Sequence, residues 1–279
     1  MPISEERLRK EIEDLSNLPT LPGVVHLIAT MVEEEDTNVQ QVGDMISRDH
    51  VLSARLLRLV NSPFYGFPGR ISSIRHALVL LGFNVVKGLV LSTTVFDQLA
   101  KEARGLWEHS LGTALLSRRM ARELNLREPD EILVAGLLHD LGKVVLAHIV
   151  PREYDRVFRI ARERRVHIAV AELEVFGFDH CAVAGWVAAH WHLPERLNNA
   201  LSFHHAPAQV KNSPETAVVH LADILARGMS YGDGGDPTMP PIDHKAFRDL
   251  GLTFEQIDGV LKATESEYNS GLNVFTEGK

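Results

Sequence analysis

Residues 130–150 read DEILVAGLLHDLGKVVLAHIV, an apolar stretch interrupted near its centre by the polar pair His139-Asp140. Its apolar residues recur at three- and four-residue spacing, which is typical of a buried α-helix. Adjacent helical residues diverge by about 100°, so His139 and Asp140 can straddle one edge of a helix but cannot stack on each other. Packing alone does not explain such a pair. The stretch therefore predicts a helical core that carries a polar site.

The same spacing recurs along nearly the whole chain and strict alternation is rare, so the predicted fold class is all-α. Residues 1–100 are expected to form an N-terminal helical bundle, with a loop NSPFYGFPGR at 61–70. Residues 101–230 are expected to form a second group of helices packed against it. Residues 231–279 contain most of a turn-rich loop of weakly ordering composition and a last helix around TFEQIDGVLKATESEY.

The composition of this chain is that of a globular protein and argues against disulfide-bonded and membrane-spanning classes. With 279 residues, 45% hydrophobic and 24% charged, it has the composition of a globular protein with an ample core. The single cysteine, Cys181, excludes an internal disulfide and fits a reducing compartment. No apolar run is expected to span a bilayer, and the charged N-terminus does not resemble a secretion signal. We therefore expect a cytoplasmic protein with no membrane partner.

Charge is distributed unevenly. The formal net charge of −8 argues against nucleic-acid binding by the chain as a whole. Residues 48–87 nevertheless carry six basic side chains against Asp49 alone; the six are Arg48, Arg55, Arg58, Arg70, Arg75 and Lys87. Two interpretations stay open: a solvated face of the bundle, which is favoured, and a surface for an acidic partner such as a nucleic acid.

Seven side chains of metal-binding type stand in or beside helix-like sequence: His109, His139, Asp140, His180, His204, His205 and Asp223. Imidazole nitrogen and carboxylate oxygen bind divalent metals, and a set of seven with two adjacent pairs favours a metal site. Asp140 could bridge two cations with its two oxygens. Lys143 lies at i+4 from His139, where it could meet a phosphate oxygen, and Gly142 leaves room for a ligand near the backbone.

Other polar candidates receive simpler interpretations. We expect Cys181 to pack in the core. Glu172 and Glu174 are expected on a solvated helix face. His220, three residues before Asp223, is expected to make an ordinary hydrogen bond, and His167 receives no role.

Several segments together resemble a known family. They include RLLRLVNSPFYG (55–66), LLHDLGKVVL (137–146), ELEVFGFDHCAVAGWVAAHWHLPERL (172–197) and AVVHLADILA (217–226). They are similar to the HD superfamily of metal-dependent phosphohydrolases, and most similar to its HDOD branch, the HD-related output domain of bacterial signalling proteins. The resemblance covers roughly residues 15–230. It implies an N-terminal bundle, 1–100, packed against an HD-type metal-binding subdomain, 101–230.

The resemblance also implies roles for individual residues. His109, His139, Asp140 and Asp223 would form the core metal quartet. His180, His204 and His205 match positions that hold a second metal in the related HD-GYP phosphodiesterases. Asp140 and Lys143 would be the catalytic residues. Two divalent ions are therefore expected. Because the ligands include no thiolate, iron or manganese is favoured.

Two departures from the phosphodiesterase pattern concern the substrate. Ala206-Pro207-Ala208-Gln209 stands where a glycine-tyrosine-proline segment follows the double histidine, and Gly105 stands where some three-metal relatives have a carboxylate. The first hypothesis is therefore a regulatory output module with protein partners in signalling. The second is a phosphohydrolase acting on a nucleotide or cyclic dinucleotide, and the third is a nucleic-acid binder through residues 48–87.

Overall fold

The structure is a computed structural model that describes residues 3–13, 39–48, 50–61, 71–99, 105–236 and 238–276. Within these ranges the regular secondary structure is helical and contains no strand, which confirms the predicted all-α class. Most of the predicted loop at 61–70 lies outside the described residues.

The first helices are α1 (Glu5–Glu13), α2 (Val39–Arg48), α3 (His50–Val60), α4 (Ile74–Leu81) and α5 (Phe83–Leu99). They are followed by α6 (Leu106–Glu123), α7 (Pro129–Leu138), α8 (Leu141–Ile149), α9 (Pro151–Arg164), α10 (Ile168–Phe176), α11 (His180–His190) and α12 (Glu195–Phe203). A 3₁₀ turn (Pro207–Gln209) precedes α13 (Pro214–Gly228), α14 (His244–Leu250) and α15 (Phe254–Thr276).

The stretch 130–150 differs from the single helix that its periodicity predicts. Helix α7 ends at Leu138 and α8 begins at Leu141, so the pair His139-Asp140 forms the turn between them. Asp140 has φ −90° and ψ 14°, outside the helical range. This turn removes the fixed angular offset between neighbouring helical residues. Both side chains can therefore face one centre.

The segment Pro129–Ile149 passes the length and composition test for a membrane-crossing helix, contrary to the expectation that no apolar run is long enough. In the fold, 83% of its most apolar window is buried. Its apolar composition is accounted for by that interior position, where α7 packs against α6 and α8 packs against α11.

Gly142 marks a close approach between α8 and α11. A Cβ atom at this position would lie 1.9 Å from the backbone oxygen of His180. The space beside Gly142 is thus filled by the first residue of α11, and the expectation that it leaves room for a ligand is wrong. The absent side chain instead lets two site-bearing helices touch.

Lys87 links the N-terminal helices to the second group. Its side chain is buried in α5, and Nζ donates to the backbone oxygens of Trp191 (2.9 Å) and His192 (3.3 Å), just beyond α11. Burial lowers the pKa of Lys87 from 10.5 to about 8. Lys87 is therefore not part of an accessible basic surface.

Two further observations bear on the basic segment 48–87. Arg75 forms an ion pair with Asp44, whereas Arg48 and Arg58 are exposed at the surface of α2 and α3. Arg70 lies outside the described residues. The solvated-face interpretation fits these contacts better, and nucleic-acid binding by this segment stays a prediction.

We predict that Gly142→Ala destabilises the protein by about 1–3 kcal/mol or more, because the added methyl must push α8 from α11 backbone. Urea unfolding measures the change. The control is Gly259→Ala in α15, where a Cβ would meet no atom within 4 Å. That variant should be neutral or slightly stabilising because alanine favours helix. Equal stability of the two variants would contradict the assigned contact.

We predict that Lys87→Met lowers the free energy of unfolding by about 1–3 kcal/mol, because two buried carbonyls lose their donor. The loss should grow with pH. Between pH 8 and 10.5 the unfolded chain still holds the Lys87 proton that the folded protein has released, so wild-type stability from this group rises with pH. Urea unfolding at pH 7 and pH 10 tests this, with the exposed Lys262→Met as the control. A loss that shrinks with pH would refute it.

Candidate metal centre

All seven predicted ligand side chains meet in the interior. His109 comes from α6, His139 and Asp140 from the α7–α8 turn, and His180 from the start of α11. His204 and His205 follow the last turn of α12, and Asp223 lies within α13. The side chains are at most 1% exposed, except for His205 at 13%. Helices distant in sequence thus enclose one polar cluster.

The two oxygens of Asp140 face different histidines. Oδ2 lies 3.3 Å from His139 Nε2 and 3.8 Å from His109 Nε2. Oδ1 lies 3.5 Å from His180 Nε2 and 3.9 Å from His204 Nε2. This is the arrangement that a carboxylate between two cation positions requires.

Asp223 also spans the cluster. Its Oδ1 lies 3.0 Å from His109 Nε2 and 3.9 Å from His139 Nε2, while Oδ2 lies 3.8 Å from His205 Nδ1. His205 Nε2 is 3.1 Å from His180 Nε2. The potential ligand atoms therefore divide into one group of His109, His139 and Asp140 and another of His180, His204 and His205, which also includes the thiol of Cys181.

Two of the imidazoles are oriented by a backbone acceptor on the far side of the ring. Nδ1 of His139 contacts the Gly136 backbone oxygen at 2.8 Å, and Nδ1 of His204 contacts the Leu201 oxygen at 3.0 Å. A carbonyl oxygen only accepts, so Nδ1–H donates, and Nε2 is the nitrogen that can carry a lone pair when the ring is neutral. Both Nε2 atoms face the centre. This is the tautomer that a metal ligand needs.

Several buried polar atoms of the cluster have no hydrogen-bond partner among the described residues. They are His109 Nδ1 and Nε2, His139 Nε2, Asp140 Oδ1, His205 Nδ1 and Asp223 Oδ2. Each unpaired buried polar atom costs about 1–3 kcal/mol. Divalent cations coordinated by nitrogen and oxygen would take up most of these lone pairs, so the residues present fit the metal that the sequence predicts.

Glu172 belongs to the site, and its predicted position on a solvated face is wrong. Its side chain is fully buried and accepts from Tyr154 Oη (2.8 Å), from His180 N (2.9 Å) and from His180 Nδ1 (2.6 Å). Burial alone would lower the pKa of His180, but the Glu172 carboxylate outweighs it and holds that pKa well above its usual value. Glu174, by contrast, is exposed and pairs with Arg164.

The ammonium of Lys143 is already fully engaged. Nζ donates to Asp140 Oδ2 (3.0 Å), to the Gly234 backbone oxygen (2.9 Å) and to Asp236 Oδ2 (3.0 Å). Burial would lower the pKa of Lys143, but Asp140 and Asp236 outweigh it and raise the pKa above its usual value. The turn-rich loop after α13 thus reaches the site, which sequence reasoning missed.

Arg227 is a second missed residue. Its Nε donates to Asp223 Oδ1 (2.9 Å) and its Nη2 to Asp236 Oδ2 (3.0 Å). The i+4 spacing of Asp223 and Arg227 on one helix was a usable signal for the first contact. Asp236 offered no such signal, because its partners come from three separate helices.

His220 and Cys181 agree with their simpler interpretations, whereas His167 contacts the cluster. His220 bonds the His204 backbone oxygen (2.7 Å) and accepts from Asp243 N (2.9 Å), as expected of an ordinary hydrogen-bonding histidine. Cys181 is buried with Sγ 3.7 Å from both His204 ring nitrogens, and burial raises its pKa to about 11. His167, which received no role, packs its ring edge-on at 4.6 Å from His205.

The chain matches a known family model and several known proteins. The model described as HDOD domain matches residues 18–207. A crystal structure of an HDOD domain protein of unknown function from Geobacter sulfurreducens is 28% identical, with a TM-score of 0.72, and the match covers 96% of this chain and 97% of that one. A provisionally named signal transduction protein from Marinobacter aquaeolei VT8 has a TM-score of 0.68 at 22% identity, covering 94% of this chain and 61% of that one.

Curated relatives are longer than this chain. An uncharacterized protein from Treponema pallidum (strain Nichols) is 28% identical over 244 residues, which is 83% of this chain and 46% of that protein. The chain spans less than half the length of the curated relatives that it matches.

Proposed function

The chain belongs to the HDOD domain family, and we propose that it is a regulatory output protein of bacterial signal transduction whose core holds a divalent metal centre. The observation that carries the metal centre is the set of buried polar atoms without a hydrogen-bond partner on His109 of α6, His139 and Asp140 of the α7–α8 turn, His205 after α12 and Asp223 of α13. The proposed ligands are His109, His139, Asp140, His180, His204, His205 and Asp223. Iron or manganese suits imidazole and carboxylate donors.

The burial of the site favours a regulatory role over a catalytic one. Asp140 and Lys143 are 1% and 2% exposed, and Lys143 is occupied by Asp140, Gly234 and Asp236. A phosphoester would have to displace internal contacts before meeting either proposed catalytic residue. In this role the chain's own histidines and aspartates hold helices together around the cation. The provisional signalling name of the Marinobacter protein agrees with this proposal.

Hydrolysis of a nucleotide or cyclic dinucleotide is the second candidate. It is favoured by Asp140, whose two oxygens face two groups of histidines, and by Lys143 beside it. A bound pair of cations would supply Lewis acidity and an activated water. Lys143 would contact a phosphoryl oxygen, and Asp140 would keep the two cation positions adjacent.

We predict that the purified protein, loaded with iron or manganese, retains up to two ions per chain, and that Asp140→Asn loses most of this metal. A neutral amide between the two groups cannot supply the charge that two cations require. Elemental analysis after gel filtration measures the content, with the exposed Asp258→Asn as the control. Metal retention by Asp140→Asn equal to that of the control would contradict the proposed centre.

The same preparations separate the two candidate functions. A metal-loaded protein that is inert across a panel of nucleotides, cyclic dinucleotides and phosphomonoesters supports the regulatory role. Turnover that is present in the wild type and absent in Asp140→Asn would replace that role with the hydrolase.

We predict that Glu172→Gln weakens metal affinity about 10–100-fold, because the carboxylate that orients His180 is typical of partners behind metal-binding histidines. Competition with a chelator of known affinity measures the change. The matched control is Glu174→Gln, since this neighbouring side chain is exposed and points away from the cluster. Equal affinities of the two variants would show that Glu172 does not support a metal ligand.

A further inference from the structure

The carboxylate of Asp236 is surrounded by donors. Its Oδ2 accepts from Lys143 Nζ (3.0 Å) and Arg227 Nη2 (3.0 Å). Its Oδ1 accepts from the backbone N–H of Ile168 (2.6 Å), and His167 Nε2 lies 3.5 Å away. The side chain has no exposed surface. Two cations and a backbone amide thus converge on a single anionic group.

The donors belong to three different elements. Lys143 lies on α8 and Arg227 on α13, while Ile168 is the first residue of α10. A lysine, an arginine and a helix N-terminal amide are the groups with which proteins bind phosphate oxygens. Asp236 therefore occupies a position whose surroundings suit an oxyanion in general.

This position adjoins the proposed metal centre. Lys143 also contacts Asp140, and Arg227 also contacts Asp223, so each cation joins Asp236 to a proposed metal ligand. Asp140 and Asp223 already balance the charges of Lys143 and Arg227. Cations in the metal centre would add positive charge, which favours a phosphoryl group over a neutral ligand at this position.

Asp236 lies in a segment that is held by hydrogen bonds and a ring contact to three other parts of the chain. Gly234 accepts from Lys143, and Asp233 N donates to the Gly105 oxygen at 2.9 Å. Tyr231 stacks on Tyr268 of α15 at 3.9 Å between ring centroids. These contacts place residues 231–236, which we name the plug segment, over the side of the site next to α10.

We propose that Asp236 is an internal occupant of an oxyanion subsite, and that a phosphate or phosphoester group binds Lys143, Arg227 and the Ile168 amide when Asp236 leaves. The inference rests on the proposed metal centre for its excess positive charge. The inference adds phosphate or phosphoester as a ligand class to the proposed function. It also adds a means of regulation, because the ligand must displace the plug segment. The site described above is its closed state.

The tethered carboxylate competes with free ligand. A group held on a short segment has an effective concentration in the millimolar range or higher, so a free anion must overcome that occupancy. Apparent affinity falls with the fraction of molecules in which the subsite is open. Removing the Asp236 carboxylate should therefore strengthen binding of inorganic phosphate about tenfold or more.

The test compares the wild type, Asp236→Ala and Asp236→Asn, all loaded with metal, by calorimetric titration with inorganic phosphate. The exposed Asp249→Asn on α14 removes the same charge elsewhere and serves as the control. We expect at least a tenfold lower dissociation constant in Asp236→Ala and a smaller decrease in Asp236→Asn, whose amide still fills the space. A folded, metal-loaded Asp236→Ala with wild-type affinity for phosphate overturns the inference.

Metal content of the same samples separates this inference from the proposed function. Retained metal without a gain in phosphate affinity rejects the subsite and leaves the metal centre standing. A gain in phosphate affinity without any bound metal supports the subsite and rejects the metal centre.

A second measurement covers the case in which neither Asp236 variant folds. Hydrogen exchange of the metal-loaded wild type is followed with and without phosphate at a concentration that saturates binding in the calorimeter. Faster exchange of the amides in 231–236 supports displacement of the plug segment. Unchanged exchange, or no phosphate binding at any accessible concentration, overturns it.

Discussion

The structure depends on keeping two buried carboxylates, Asp140 and Asp223, ionised. Burial alone would raise the pKa of both groups, yet both are held well below the usual range. His139 and Lys143 are the main causes for Asp140, and Arg227 and His109 are the main causes for Asp223. A buried charge that loses its partner costs about 3–5 kcal/mol. The segments that supply these partners, namely α6, the α7–α8 turn, α8 and α13, must therefore converge around the two carboxylates.

The sequence was informative wherever a polar residue interrupted an apolar periodic run. Polar pairs at the ends of apolar runs singled out His139-Asp140 and His204-His205, whereas residue type and the family resemblance added His109, His180 and Asp223. The three- and four-residue periodicity predicted the all-α class. The break between α7 and α8 was not predictable by the same means, because the nearest glycines, Gly136 and Gly142, lie inside the two helices and do not mark the turn. Glu172 and Asp236 were also missed. Each is buried by partners on other helices, so its local sequence resembles that of an ordinary surface residue.

Enclosure gives the cluster properties that an open active site would lack. In a buried site the effective dielectric constant is low, so unpaired lone pairs interact strongly with a cation. The same enclosure separates the cluster from large substrates. A centre of this kind is suited to recording whether a small ion or oxyanion is present.

The contact between Lys87 and the carbonyl end of α11 has a consequence for how the molecule can be divided. His180 is the first residue of that same helix. Lys87, from the first group of helices, therefore holds the far end of the helix that carries a histidine of the cluster. A fragment beginning after α5 would leave the Trp191 and His192 oxygens without this donor. Separating the two groups of helices would therefore change the position of α11 and of His180. Neither half is expected to keep its native geometry alone.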